Sequence, residues 1–350
     1  MAPSHIFVTG GTGFIGSRVI LDALKAGHHL RLSVRRETQT EEIRARFPEY
    51  VTQLDFVVIP NIENDEALRG ALATNDVDYI LHIASPMPGK VDDFKTEYLH
   101  PAVKGTEAIL KAASATPSVK RVVIVSSILA LMPLGSSSTP GSSSTPGLEV
   151  KTGTNHSFPV DEDMEFPPGR AGYGAKYSAS KILAHRATID WMTTHKPRFS
   201  LVTVHPTYVL GRDLTQRDAS PPNGINAYLM QTLTNPPGGK PVVPASMVDV
   251  RDVSYVVLKS LEVTLDEKEL VTEYLAVGRP TSYDEVVKFV KEKYPEIDVK
   301  LEGPYAVPLT ADTSRPEKEL NITWKGMEEV VGSVLDQQLG LTRSEGKAAL

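Results

Sequence analysis

The stretch "VTGGTGFIGSRVI", residues 8–20, constrains this chain more than any other. It follows a short apolar run, "HIFVT" at 5–9, and opens a segment of helical periodicity, "GSRVILDALKAG". Gly10, Gly13 and Gly16 stand in G-x-x-G-x-x-G spacing between the two. In a strand–turn–helix, the first glycine permits the tight turn and the second lets a pyrophosphate approach the backbone. The third lets helix and strand pack closely. The helix N-terminus then offers free N–H groups and the positive end of its dipole to phosphates. A glycine triplet alone is a weak signal, and its place directly after a strand and before a helix is what gives it weight. Gly10, Thr12, Gly13, Phe14, Ile15 and Gly16 are therefore the candidates for holding a dinucleotide.

The rest of the first two hundred residues repeats the alternation. Apolar runs at 29–34, 54–59, 78–84, 121–127 and 199–205 are continuous and rich in Val and Ile. Strands buried on both faces of a parallel sheet read this way. Helical segments such as "GTEAILKAASA" lie between them, so the expected class is α/β, a Rossmann-type doubly wound parallel sheet. Beyond residue 206 the pattern loosens and prolines cluster at 221–222, 236–237, 241 and 244. A further strand is expected at 273–278. Helices are expected at "SYDEVVKFVKEKY", where Ser282 and Glu285 have capping-box spacing, and at "GMEEVVGSVLDQQL". The division that follows puts 1–210 and 245–278 in the nucleotide-binding domain. Residues 211–244 and 279–342 form a smaller C-terminal substrate lobe, and 343–350 a tail. The repeat "SSSTPG" at 136–141 and 142–147 lacks the apolar surface to order itself. It reads as a surface loop, with a lid over the active site as the alternative.

Composition removes several function classes. The 350 residues carry a formal net charge of −6, with no basic block to attract nucleic acid. There is no cysteine, which excludes disulfides, thiolate metal sites and thiol nucleophiles. Nine histidines are scattered, and no spacing among them suggests a metal. The start "MAPSHIFVTGG" lacks the apolar stretch of about 7–15 residues that a signal peptide needs. The longest apolar run, at 122–134, is broken by two serines and falls short of the roughly 18 apolar residues of a membrane span. A cytoplasmic location is the expectation, and no interface signature fixes an oligomeric state.

The end of the second strand bears on the choice of cofactor. An acidic residue there would take the ribose hydroxyls of NAD. The chain instead has "LSVRRET", with Arg35 directly after the strand. A guanidinium grips a 2′-phosphate with two hydrogen bonds, so NADP is favoured over a reading in which Glu37 holds the ribose of NAD. Two further groups carry chemistry. Ser126 and Ser127 end the fifth strand, and ligands of such sheets sit at the carboxyl ends of the strands. In "YGAKYSASK", Tyr177 and Lys181 are four apart and share a helix face. An ammonium beside a phenol favours the phenolate and lowers its pKa, which prepares a tyrosine for proton transfer to a carbonyl oxygen. Tyr173 and Lys176 are three apart and also within reach, so spacing alone leaves both pairs open.

These residues together resemble the extended short-chain dehydrogenase/reductases. The match rests on "TGGTGFIG", the "SS" after the fifth strand and "YSASK". "SVRRET", "ILHIASPM", "HPAVKGTEAILKAA", "VSSILALM", "HPTYVLG" and "VDVRDVS" look like the dihydroflavonol-reductase group, above all its fungal aldehyde and ketone reductases. The resemblance runs from about residue 4 to 340. It implies an NADPH-dependent reductase of a small carbonyl compound, with Ser127 as catalytic serine and Tyr177 as proton donor. Lys181 would hold the nicotinamide ribose and lower the Tyr177 pKa. Ala84, Ser85 and Pro86 would line the cofactor, and Pro206, Thr207 and Val209 would pack near the carboxamide. Tyr173 is left as a wall of the substrate pocket and Lys176 as a solvated neighbour.

The chain departs from the family at three places. Asn61 and Ile62 stand where the family has Asp-Leu against the adenine, and Asn keeps an acceptor oxygen. Met132 occupies the position of an Asn that holds the flavonoid in the plant enzymes, which argues against a dihydroflavonol substrate. His185 replaces the acid of "SK-x-x-A-E" and reads as a helix-surface change. Asp249 and Asp252 read as helix-capping groups that tie Arg251 to the sheet. Two other functions share the scaffold: a nucleotide-sugar epimerase or dehydratase, and a non-catalytic NADP-sensing regulator. Arg35 and the proline-rich segment at 219–244 oppose the first, and the intact Tyr-x-x-x-Lys opposes the second.

Overall fold

The computed structural model describes residues 2–73, 76–85, 92–136, 149–153, 158–222, 224–303, 305 and 309–348. In chain order the strands are β1 (His5–Thr9), β2 (His29–Val34), β3 (Leu54–Val58), β4 (Tyr79–His82), β5 (Arg121–Val125) and β6 (Glu149–Val150). They continue with β7 (Ser200–Pro206), β8 (Tyr208–Leu210), β9 (Met247–Asp249), β10 (Val271–Ala276) and β11 (Thr310–Ala311). The helices are α1 (Phe14–Lys25), α2 (Thr38–Arg46), α3 (Asp65–Ala73), α4 (His100–Ser114), α5 (Arg170–His195) and α6 (Ile225–Thr234). They end with α7 (Val250–Lys259), α8 (Tyr283–Lys293), α9 (Ser314–Leu320) and α10 (Met327–Ala348).

Seven strands form one parallel sheet in the order β10-β7-β5-β4-β1-β2-β3. This is the doubly wound arrangement that the alternation of apolar runs and helices implies. The strand alternation sorts the core into two layers. Val8, Leu32, Leu81, Val123 and Val202 point to the face covered by α1 and α7. Phe7, Ile80, Val122 and Leu201 point to the face covered by α3, α4 and α5. Each apolar side chain buried here contributes roughly 1.5–3 kcal/mol, which fixes the register of every strand.

A separate apolar cluster joins α6, α8 and α10 through Leu229, Leu233, Val286, Val290, Val331 and Val334. Ser282 caps α8 in a reciprocal capping box with Glu285. Asp249 caps α7, accepts from the Arg251 backbone and also holds its guanidinium. α10 runs without a break to Ala348, so most of the tail expected at 343–350 is helical. Of the two "SSSTPG" units, only Ser136 lies within the described residues. Among the described residues no helix is long and apolar enough to cross a membrane.

Candidate active site

The glycine loop is held by close backbone approaches. Gly10 has φ +76°, and a Cβ there would lie 2.4 Å from the Ala84 backbone nitrogen. A Cβ on Gly16 would lie 2.1 Å from the Gly10 carbonyl oxygen, so the first turn of α1 can rest on the loop only without a side chain. At Gly13 the nearest atom to a Cβ is 3.6 Å away, which leaves the outer side of the turn open. A cradle of this shape with a helix N-terminus behind it fits a pyrophosphate. The loop is tied to the next strand end by Thr9, whose hydroxyl accepts from the Ala84 N–H and shares a hydrogen bond with His82 Nδ1 at 2.9 Å.

The other expected cofactor residues ring this loop. Arg35 is exposed immediately past β2, its backbone N–H bonded to the Gln39 side chain. Asn61 is exposed past β3, and its side-chain oxygen accepts from the Glu63 N–H at 3.0 Å, so it closes a local turn. Ile62 faces Gly105 on α4, where a Cβ would stand 3.1 Å from it. Ala84 and Ser85 are half-buried past β4, and Pro86 lies outside the described residues.

Ser127, Tyr177 and Lys181 come together at the carboxyl end of β5. Ser126 extends that strand by donating its N–H to Val204. Ser127 then caps a short 3-10 turn, Ile128–Leu131, its hydroxyl accepting from the Leu129 N–H at 3.2 Å. The phenol of Tyr177, from α5, comes near enough to the Ser127 hydroxyl for that hydroxyl to favour its ionised form. Lys181 stands one turn further on, its Nζ 5.4 Å from the Tyr177 ring centre and donating to Ser85 Oγ at 2.8 Å. The lysine thus joins α5 to the loop after β4.

The electrostatics correct one expectation. Lys181 does not bring the phenol toward neutrality here. Burial pushes Tyr177 up to about 12, with the nearby Ser127 hydroxyl acting in the opposite direction. Burial also pushes the Lys181 ammonium down to about 8. Both shifts have one cause, the apolar packing of α5 against the sheet.

Two neighbours of the pair also differ from expectation. Lys176 is not solvated. It is 3% exposed and forms an ion pair with Asp92, which also accepts from the Gly169 N–H. This clasp joins the segment before α4 to the start of α5. His185 is not a surface change, being 3% exposed on the sheet-facing side of α5. Tyr173 is half-buried in an aromatic cluster with Phe94, Tyr98 and Phe166, and its ring lies 6.1 Å edge-on from Tyr98. Met132 belongs to a different apolar cluster, with Val150, Leu275 and Leu309. Pro206 ends β7, Thr207 hydrogen-bonds Ser246, and Val209, in β8, is buried in the core.

One group escapes any reading of spacing. His185, His205 and Glu273 come from α5, β7 and β10, and their polar atoms lie within 4.8 Å of one another. His185 Nε2 meets Glu273 at 2.5 Å, and the other oxygen of Glu273 accepts from the Gly153 N–H at 2.6 Å. Burial tends to raise the Glu273 carboxyl. The His185 hydrogen bond, the two histidines and the Gly153 N–H outweigh it and hold the group at about 2. Burial, with His185 next to it, drives His205 down to about 3.

A family model described as the NAD dependent epimerase/dehydratase family matches residues 6–262. The ketoreductase sphI of Aspergillus fumigatus is 33% identical over 347 residues, 97% of this chain and 98% of that protein. A putative NADPH-dependent methylglyoxal reductase, GRP2 of Candida albicans, is 26% identical, with 88% of this chain and 87% of that protein covered. The yeast methylglyoxal/isovaleraldehyde reductase Gre2, solved with NADPH, superposes with a TM-score of 0.81 at 20% identity over 97% of this chain and 99% of its own. The glycine cradle, the parallel sheet and this match over most of the chain agree: the protein belongs to the NAD dependent epimerase/dehydratase family.

Proposed function

We propose that this protein is an NADPH-dependent carbonyl reductase acting on an aldehyde or ketone of a small or medium organic molecule, with the cytosol as its compartment. The observation that carries the reading is the approach of the Tyr177 phenol on α5 to the Ser127 hydroxyl at the end of β5, with Lys181 Nζ 5.4 Å from the Tyr177 ring centre. Two hydroxyl donors converge on one point at the carboxyl end of the sheet, on the same side as the glycine cradle. Names of relatives support the same chemistry, since they include a ketoreductase and an NADPH-dependent reductase.

Gly10, Thr12, Gly13, Phe14, Ile15 and Gly16 would hold the pyrophosphate, with Arg35 at the 2′-phosphate, and Lys181 would hold the nicotinamide ribose. Asn61, Ile62, Ala84, Ser85, Pro86, Pro206, Thr207 and Val209 would complete the cofactor site. Bound NADPH supplies the hydride to the carbonyl carbon. The chain does the rest. Ser127 and Tyr177 direct O–H groups at the carbonyl oxygen, where negative charge develops. A phenol held at about 12 is fully protonated at neutral pH, as a proton donor must be. An alkoxide is a far stronger base than a phenolate, so transfer from Tyr177 Oη runs downhill. The Lys181 ammonium then faces the phenolate. Tyr173, one turn earlier on α5, stands as a wall of the substrate side.

The test follows NADPH absorbance against aldehydes, ketones, diketones and nucleotide sugars. Oxidation with the simple carbonyl compounds is the expected result. Turnover of the nucleotide sugars alone would reject the proposal in favour of an epimerase or dehydratase.

A further inference from the structure

His205 is fully buried, and both its ring nitrogens are engaged. Its Nδ1 lies 3.1 Å from the Ser127 carbonyl oxygen. A carbonyl can only accept, so Nδ1 carries the proton. Nε2 then accepts from the Thr203 hydroxyl at 2.9 Å. Thr203 and His205 are two apart on β7 and so share a face of the sheet. Glu273 pairs with Thr203 across β10 and β7, on that same face. α5 lies over it and lowers His185 edge-on against the His205 ring, with centroids 4.7 Å apart and planes at 85°. His185 is in turn fixed by Glu273, and Glu273 by the Gly153 N–H. Two histidines and a glutamate are also metal-ligand types. Here the lone pair of His205 goes to Thr203, and the Glu273 oxygens go to His185 and Gly153, so hydrogen bonds account for the cluster.

What this network holds is the backbone of Ser127. Its carbonyl accepts from His205 and from the Ala130 N–H, which closes the turn that Ser127 caps. The two donors fix the carbonyl and the turn that follows it, and within that turn the Leu129 N–H holds the Ser127 hydroxyl.

We propose that His205 is a positioning residue for the reduction: it fixes the Ser127 backbone, and thereby the angle at which the Ser127 hydroxyl meets the substrate oxygen, with His185 and Glu273 as its buttress. This rests on Ser127 being a catalytic hydroxyl, as proposed above. Three variants separate the two claims. His205→Asn places an amide N–H near the site of Nδ1, whereas His205→Gln places it near Nε2. His205→Asn should retain most of the turnover, while His205→Gln loses about tenfold or more in kcat, as expected for a misplaced reacting group. The NADPH Kd by fluorescence titration and the melting temperature should match between them. In a Ser127→Ala background, His205→Gln should cost nothing further, because the residues act through one another. Equal turnover in the Asn and Gln variants, high or low, overturns the inference. So does an undiminished cost of His205→Gln in the Ser127→Ala background. Wild-type turnover in Ser127→Ala alone would instead refute the catalytic reading.

Discussion

Tyr177 and Tyr173 sit one turn apart on the same helix, yet their surroundings give them different work. Tyr177 meets Ser127 and Lys181, while Tyr173 meets Tyr98 and an apolar cluster. Tyr177→Phe should therefore lower kcat by about 10²- to 10⁴-fold, the usual worth of a positioned acid. Tyr173→Phe, which keeps the ring, should change KM more than kcat. Steady-state assays with one carbonyl substrate check both, and the reverse ranking would exchange the roles. Arg35 offers a second test. It is exposed at the end of β2, where a carboxylate would repel a 2′-phosphate. Arg35→Asp should raise the KM for NADPH at least tenfold and leave that for NADH unchanged or lower. An unaltered ratio of the two would move the phosphate contact elsewhere. The turn of the glycine loop and the nearness of Tyr177 to Lys181 were readable because each rests on neighbours in sequence. The Tyr177 pKa was not, because it depends on how deeply α5 packs, and burial outweighs the nearby Ser127 hydroxyl.

At the scale of elements, local chemistry was again the readable part. The capping box at Ser282 is present as its spacing requires, with both reciprocal hydrogen bonds formed. Ser282→Ala should reduce unfolding stability by about 1 kcal/mol, as measured in urea, with kcat unchanged. A loss of activity without a loss of stability would mean that α8 reaches the active site in a way its cap does not explain. The end of α10 is hard to read, because "LTRSEGKAAL" carries good helix formers but little apolar periodicity. The burial of Lys176 is hidden from the sequence for a different reason. Its partner Asp92 lies far back in the chain, and only the fold brings the two together.

For the whole molecule, the buried charges matter most. Glu273 ionises at about 2 in the folded protein against an ordinary 4.5, so its stabilisation is complete above pH 4.5 and is lost as pH falls toward 2. Unfolding free energy should thus drop more between pH 5 and pH 3 in the wild type than in Glu273→Gln. Denaturant titrations at the two pH values measure the difference, and parallel losses would show that Glu273 carries no such linkage. No sequence pattern announces this network, since its three members belong to three elements that only the sheet order makes adjacent.

That sheet order, β10-β7-β5-β4-β1-β2-β3, also sets a timetable. Chains emerging from the ribosome fold from the N-terminal end. The first strand made here becomes a central one, and later strands are added outward, first on one side and then on the other. A nascent chain stopped before Val271 already contains the cradle, the serine, the tyrosine and the lysine. It still lacks the carboxylate that holds His185, so the machinery for chemistry is synthesised before the strand that steadies it.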